Sequence, residues 1–357
     1  MKKGDFYFYL LWQAKVSTRL FWSLQKQFGS SQKIVAAALP DNPLLPAKVC
    51  QAIQKVWTDK TLQQNNFAKL ANYFTILDDE YPELLKKIYD PPLLLFYTGN
   101  LQLLTSEYLI SMVGSRHQTS YHLEIADKII GEFAGSPLTI VSGLAIGLDT
   151  ACHQAALKNN LGTIAVLGSG LDQASFYPKI NFKLSQEIIQ KGGLLLSEYP
   201  SGTKPALHHF PRRNRILAGL SRATVVISGA LKSGTLITAQ VALDEGREVF
   251  AVPGNINQQL CQGPNSLLQN GANILISGQD ILEYYQLSSQ KQLTITTIEL
   301  TNNEKIIVDL LKIEPLSLEN MLAKTTWSLP LLQATLSSLE IKNIIRTEFD
   351  GLVCLKC

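Results

Sequence analysis

Between residues 108 and 280, short apolar runs alternate with stretches of helix length, and few folds accept that rhythm. Strands are expected at Leu109–Val113, Leu138–Val141, Thr163–Leu167, Leu194–Ser197, Thr224–Ile227, Glu248–Val252 and Asn273–Ile276, with helices between most of them. Such alternation builds an α/β fold, a parallel sheet with helices on both faces. Several strands run into glycine or serine: Gly114, Ser142-Gly143 and Gly168-Ser169-Gly170. Ligands of open α/β sheets bind just beyond the carboxyl ends of the strands, so these small residues sit where a backbone must come close to something.

The flanks read differently. Residues 1–70 show helical periodicity broken by Gly29-Ser30-Ser31 and by Pro40, Pro43 and Pro46, the pattern of a small all-helical domain. The α/β domain is taken as 71–285, opening on a connecting segment with some strand in the run Leu93 to Tyr97. Polar residues 286–301 read as a linker. The segment 302–357 has three helical stretches, then Ile344–Thr347 and Leu352–Leu355 around Asp350-Gly351, a hairpin signal. Three helices and a hairpin suggest a winged helix.

Several classes are set aside. The apolar run Phe6 to Trp12 after Lys2 and Lys3 imitates a signal peptide, but it is short and no small-residue cleavage site follows. No apolar stretch reaches the roughly 18 residues a membrane span requires. The cysteines at 50, 152, 261, 354 and 357 are odd in number and scattered, which fits a reducing, cytoplasmic setting. Cys354 and Cys357 form a Cys-x-x-Cys without the second pair a zinc site needs, so no metal and no cofactor are expected.

The charge map carries the strongest chemical signal. Between Glu198 and Asp244 there is no carboxylate, while Lys204, Arg212, Arg213, Arg215, Arg222 and Lys232 fall in that stretch. Clustered arginines suit bidentate recognition of phosphate. Phe210-Pro211 precedes three of them, and cations beside a ring are what single-stranded nucleic acid needs: charge for the phosphates and a surface for a base. Two turns add anion-binding character. Gly114-Ser115-Arg116 follows the first strand of the α/β domain, and Lys232-Ser233-Gly234-Thr235 follows another and opens a helix. The second is no P-loop, because Lys232 precedes the glycine. Ser142, Asp149 and His153 lie close in sequence, but Asp149 near a helix start reads as a cap rather than part of a triad, and no catalytic residue is expected.

In order along the chain, these segments resemble the DNA processing protein A family. The match runs through Val113-Gly114-Ser115-Arg116, Ser142-Gly143-Leu144-Ala145 with Gly147, Asp149 and His153, then Gly170-Leu171-Asp172 with Tyr177-Pro178. It continues through Ser197-Glu198-Tyr199-Pro200, Phe210-Pro211-Arg212-Arg213-Asn214-Arg215, Ser233-Gly234-Thr235, Gly246-Arg247-Glu248-Val249 and Val252-Pro253-Gly254. The resemblance implies an extended Rossmann-like sheet, a SAM-like helical N-terminal domain and a C-terminal winged helix. It also implies a homodimer that binds and protects single-stranded DNA entering by natural transformation and loads RecA recombinase onto it. In the family the Gly-Ser-Arg turn and the Phe-Pro-x-Arg-Asn-Arg loop line the DNA pocket. Binding is therefore carried onto Ser115, Arg116, Phe210, Arg212, Arg213, Asn214 and Arg215, and onto Ser233, Gly234 and Thr235; Gly114 and Lys232 join them from the two turns.

This chain departs from the family pattern at Ile146, where many relatives carry Arg or Lys, at Leu207, where some carry Lys, and at Ser228, where they often carry glutamate. The C-terminal segment 302–357 holds six Lys/Arg and seven Asp/Glu, and Ser328–Glu340 contains no basic residue, so it is expected to bind protein rather than duplex DNA. The rival reading is a nucleotide hydrolase or phosphoribohydrolase on a Rossmann-like fold. That chemistry needs carboxylates beside the glycine turns, and Glu198 is the one nearby candidate.

Overall fold

The computed structural model describes residues 3–40, 42–59, 72–287, 300–312, 314–325, 327–342, 344–347 and 352–355. The chain divides into two compact units, Met1–Gln290 and Lys291–Cys357. Helices α1 (Lys3–Gln13), α2 (Thr18–Phe28), α3 (Ser31–Ala38) and α4 (Ala47–Thr58) open the first unit. Then come β1 (Tyr73–Thr75), α5 (Glu83–Lys86), β2 (Leu94–Gly99), β3 (Leu109–Val113), α6 (Ser120–Gly131), β4 (Thr139–Ser142), α7 (Leu148–Lys158) and β5 (Gly162–Leu167). The unit continues with α8 (Phe182–Gln190), β6 (Leu194–Ser197), α9 (His209–Leu220), β7 (Ala223–Val226), α10 (Gly234–Asp244), β8 (Glu248–Ala251), α11 (Gln259–Gln269), β9 (Asn273–Ile274) and α12 (Gly278–Tyr284).

All seven expected strands of the α/β region are present, two to the residue and the others with ends shifted by one or two residues. The sheet runs β1-β2-β6-β5-β4-β3-β7-β8-β9, parallel from β6 through β9. Alternate residues of one strand enter different cores, because strand side chains point to opposite faces. Ile110 and Met112 of β3 pack with Ile140, Val225 and Phe133, whereas Leu109 and Val113 pack with Val141 and Val226. The sheet is not wholly parallel, however. β1 and β2 add an antiparallel edge, with Phe96 opposite Ser197. Antiparallel neighbours need no crossover of the kind that parallel neighbours require.

The N-terminal helices pack on that edge. Trp12 lies edge-on to Phe96 with ring centroids 5.6 Å apart, and Thr18 donates its hydroxyl proton to the Pro91 carbonyl at 2.5 Å. Among the described residues, no helix is long and apolar enough to cross a membrane.

The second unit holds α13 (Asn302–Leu311), β10 (Leu316–Ser317), α14 (Leu318–Thr325), α15 (Leu329–Ile341), β11 (Ile345–Thr347) and β12 (Leu352–Leu355). The three helices and the two hairpin strands were expected; the two-residue β10, too short to show a period, adds a third strand. Ile307, Met321, Leu332, Leu339 and Val353 form its core. Glu304 is held by Lys342 Nζ at 2.8 Å and by the Ser338 hydroxyl at 2.7 Å, which together with its capping of α13 pull its carboxyl down to about 2. Residues 288–299 of the expected linker, Asp350-Gly351 and Cys357 lie outside the described residues.

Candidate nucleic-acid interface

The chain builds the sheet outward from β3 to β6, then returns to place β7 on the other side of β3. That reversal leaves a crevice beyond the carboxyl ends of β3 and β7, the usual ligand position in open α/β sheets. Two glycine-serine turns flank it.

The turn after β3 differs from expectation. Helix α6 starts only at Ser120, so the Ser115 N–H is not a free helix-terminal donor. It donates instead to Ser228 Oγ at 3.1 Å, and the Ser115 hydroxyl oxygen accepts from the His117 N–H at 3.1 Å. Ser228 thus supplies a neutral acceptor that fixes the turn. Arg116 is exposed, with its guanidinium 5.1 Å above the Phe210 ring; Tyr177 lies 5.8 Å from the same ring.

The Phe210–Arg215 segment, expected as a loop, is the first half of helix α9. Helical spacing splits its arginines, because residues three and four apart share a face. Phe210, Arg213 and Asn214 face the crevice. Arg212 and Arg215 line a different cleft, of about 720 Å³, with Glu198 and Asp90. There Arg215 grips both Glu198 oxygens at 2.6 and 2.7 Å, and Arg212 Nε stands 3.2 Å from Glu198 Oε2. Arg213 is buried. Its Nη1 donates to the Val166 carbonyl at 2.8 Å, and its guanidinium occupies the space that a Cβ on Gly143 would need. Burial pulls its pKa down, and the charge of Asp149 opposes that.

The turn after β7 matches expectation. Ser233 stands at the N-cap position of α10 without a side-chain capping bond, Gly234 and Thr235 form the first turn, and Lys232 is exposed beside it. The Ser233 hydroxyl is buried and has no hydrogen-bond partner among the described residues. With the first N–H groups of α10, it gives this end of the crevice an unfilled capacity to bind an anion. Gly114, Ser115, Arg116, Phe210, Asn214, Ser233, Gly234 and Thr235 line one groove of about 330 Å³. Ile146 and Leu207, where the family pattern has cations, are half and 90% exposed.

The neighbouring Ser, Asp and His do not form a triad. The Ser142 hydroxyl donates to the Met112 carbonyl at 2.7 Å, and His153 Nδ1 pairs with Thr163 Oγ1 at 2.7 Å. Asp149 accepts from the Ala145 N–H at 3.3 Å; burial raises its pKa, and Arg213 counteracts that. The sequence reading missed that Asp149 and Arg213 are both buried and act on each other through their charges. Its one trace was the lack of carboxylates between residues 198 and 244, which obliges any buried arginine there to find a distant partner.

His153 yields a pH prediction. Burial, aided by the charge of Arg213, lowers its pKa from 6.5 to about 3. The unfolded chain therefore binds a proton that the folded chain refuses between those values, so stability is full above pH 6.5 and declines as pH falls toward 3. Urea midpoints of the wild type should drop across that window, and those of His153→Gln should drop less. Parallel declines would contradict the assignment.

Residues 72–286 match the family model described as DNA recombination-mediator protein A, well over half of the chain. The chain belongs to that family. It is 49% identical over 213 residues to DNA processing protein DprA of Streptococcus pneumoniae (strain ATCC BAA-255 / R6), covering 60% of this chain and 74% of that protein. The Bacillus subtilis (strain 168) DprA is 43% identical over 212 residues, 59% of this chain and 70% of that one. Among solved structures, DprA from Streptococcus pneumoniae superposes with a TM-score of 0.69 at 39% identity, over 79% of this chain and 98% of that chain. DNA processing protein A from Helicobacter pylori, whose structure concerns a single-stranded DNA binding mode, gives 0.54 at 31% identity, over 60% and 96%. The family match spans both glycine-serine turns and α9, so the groove lies wholly inside the shared region.

Proposed function

We propose that the groove between the β3 and β7 turns binds the phosphates of single-stranded DNA, and that the protein is a binding module rather than an enzyme. The observation that carries this is the buried Ser233 hydroxyl, unpartnered at the start of α10, in the lining of the same groove as the exposed Arg116. An anion is the ligand that both can hold. Among the described residues the one carboxylate lining the groove, Asp149, is buried, and the charge of Arg213 acts on it. Phe210, already beneath the Arg116 guanidinium, offers the apolar surface a base requires. Gly114, Ser115 and Asn214 complete the lining, while exposed Lys232 adds positive charge beside it.

The family's role extends the reading. The protein would bind and protect DNA entering by natural transformation and pass it to RecA as a homodimer. Its helical N-terminal segment would be SAM-like and its C-terminal unit a winged helix that contacts protein. The hydrolase reading is not favoured, because Glu198, its candidate acid, is clamped by Arg212 and Arg215 in the other cleft.

The deciding experiment is a salt series of binding to an oligo-dT strand and to a duplex. Preference for the single strand, weakening steeply with salt, supports the reading; equal binding or none overturns it. Removing residues 302–357 should leave oligo-dT affinity and its salt dependence unchanged, since that segment carries no net positive charge. A shallower salt dependence after truncation would assign phosphate contacts to the C-terminal unit.

A further inference from the structure

A groove built for phosphate gains nothing from a negative charge in its wall, yet Asp149 is there, 6% exposed. We propose that Asp149 is a positioning residue that sets Arg116 for the phosphate, acting through the turn between β4 and α7. This rests on the single-stranded DNA reading of the groove.

The contacts run in a chain. Asp149 accepts the Ala145 N–H at 3.3 Å and so ties the turn back onto the start of α7. The turn is an unusual one: Leu144 has φ +53° and Gly147 has φ +91°. L-residues seldom adopt such angles unless the surroundings enforce them. The far end of the turn presses on the backbone that carries Arg116. The Leu148 N–H donates to the Ser115 carbonyl at 3.3 Å. A Cβ on Gly147 would stand 2.5 Å from the Arg116 carbonyl oxygen and 2.8 Å from that of Ser115. A second branch runs through the buried Arg213. It feels the charge of Asp149, anchors on the Val166 carbonyl and belongs to the same helix as Phe210, over which Arg116 lies. Asp149 therefore braces Arg116 from the backbone side through contacts, and acts on the ring side through its charge on Arg213.

The sign of one measurement separates this from a simple field effect. If Asp149 acted only through its charge, Asp149→Asn would tighten oligo-dT binding by removing a repulsion. Positioning predicts the reverse: a loss of about tenfold, the scale of one charge-assisted contact. A double-mutant cycle with Arg116→Ala should then show no further loss, because the contact that Asp149 supports is already gone. Gly147→Ala tests the other end of the chain without altering any charge, and its loss should also vanish in the Arg116→Ala background. It decides the matter if Asp149→Asn does not fold, as judged by its thermal unfolding. Tighter binding by Asp149→Asn, or losses from either variant that multiply with that of Arg116→Ala, would overturn the proposal and leave the groove assignment intact. If Arg116→Ala itself binds as the wild type does, the groove assignment fails and this proposal falls with it.

Discussion

Arg116→Ala should cost roughly 10- to 100-fold in affinity for oligo-dT, the range for a hydrogen bond to a charged group, about 1.5–3 kcal/mol. The side chain is exposed and stands over Phe210 at the open side of the groove, so its removal leaves the folded core untouched. Two readouts are expected together. Affinity falls, and the slope of log K against log salt becomes shallower by about 0.7, the counterion release of one single-strand phosphate. A loss of affinity at constant slope would mean that Arg116 acts on the base or the ring and not on a phosphate. No loss at all would move the strand out of this groove.

Glu198→Ala should be the most destabilising single change at the two clefts. Glu198 and Arg215 are 7% and 11% exposed, and they are joined by two hydrogen bonds of 2.6 and 2.7 Å. Removing the acid leaves a buried guanidinium whose Nε and Nη1 already lack hydrogen bonds; Asp90, 3.5 Å away and 44% exposed, is its remaining carboxylate neighbour. Breaking one side of a buried ion pair costs about 3–5 kcal/mol. Arg212→Ala removes the outer partner, which is 55% exposed, and should cost under about 1 kcal/mol. Urea unfolding of the two variants should therefore separate by several-fold in ΔΔG. Equal, small effects would show that the cleft around Glu198 is hydrated enough to carry Arg215 alone. The comparison also bears on the hydrolase reading, since an acid that works as a clamp is lost in stability before it is lost in any turnover.

The amino-acid sequence by itself determined the α/β region, because strand and helix periods differ and each apolar run has nowhere to go but a sheet buried on both faces. Leu109–Val113 and Leu194–Ser197 were legible to the residue. It also marked the two turns, since Gly114 and Gly234 follow strands and sit beside hydroxyls and cations. What it could not order was the run from Phe210 to Arg215. As a string, three arginines look like one basic loop. Folded as α9, the 3.6-residue turn sends Arg212 and Arg215 to Glu198, buries Arg213 on the Val166 carbonyl within the field of Asp149 and leaves Phe210 and Asn214 in the groove. Those assignments depend on carboxylates distant in the chain, brought near by the order of strands in the sheet. The same holds for Ser228, whose role as acceptor for the Ser115 N–H exists only because β7 lies beside β3. Local pattern set which elements form, whereas long-range packing of charges in a low-dielectric interior decided which cations remain exposed at the groove.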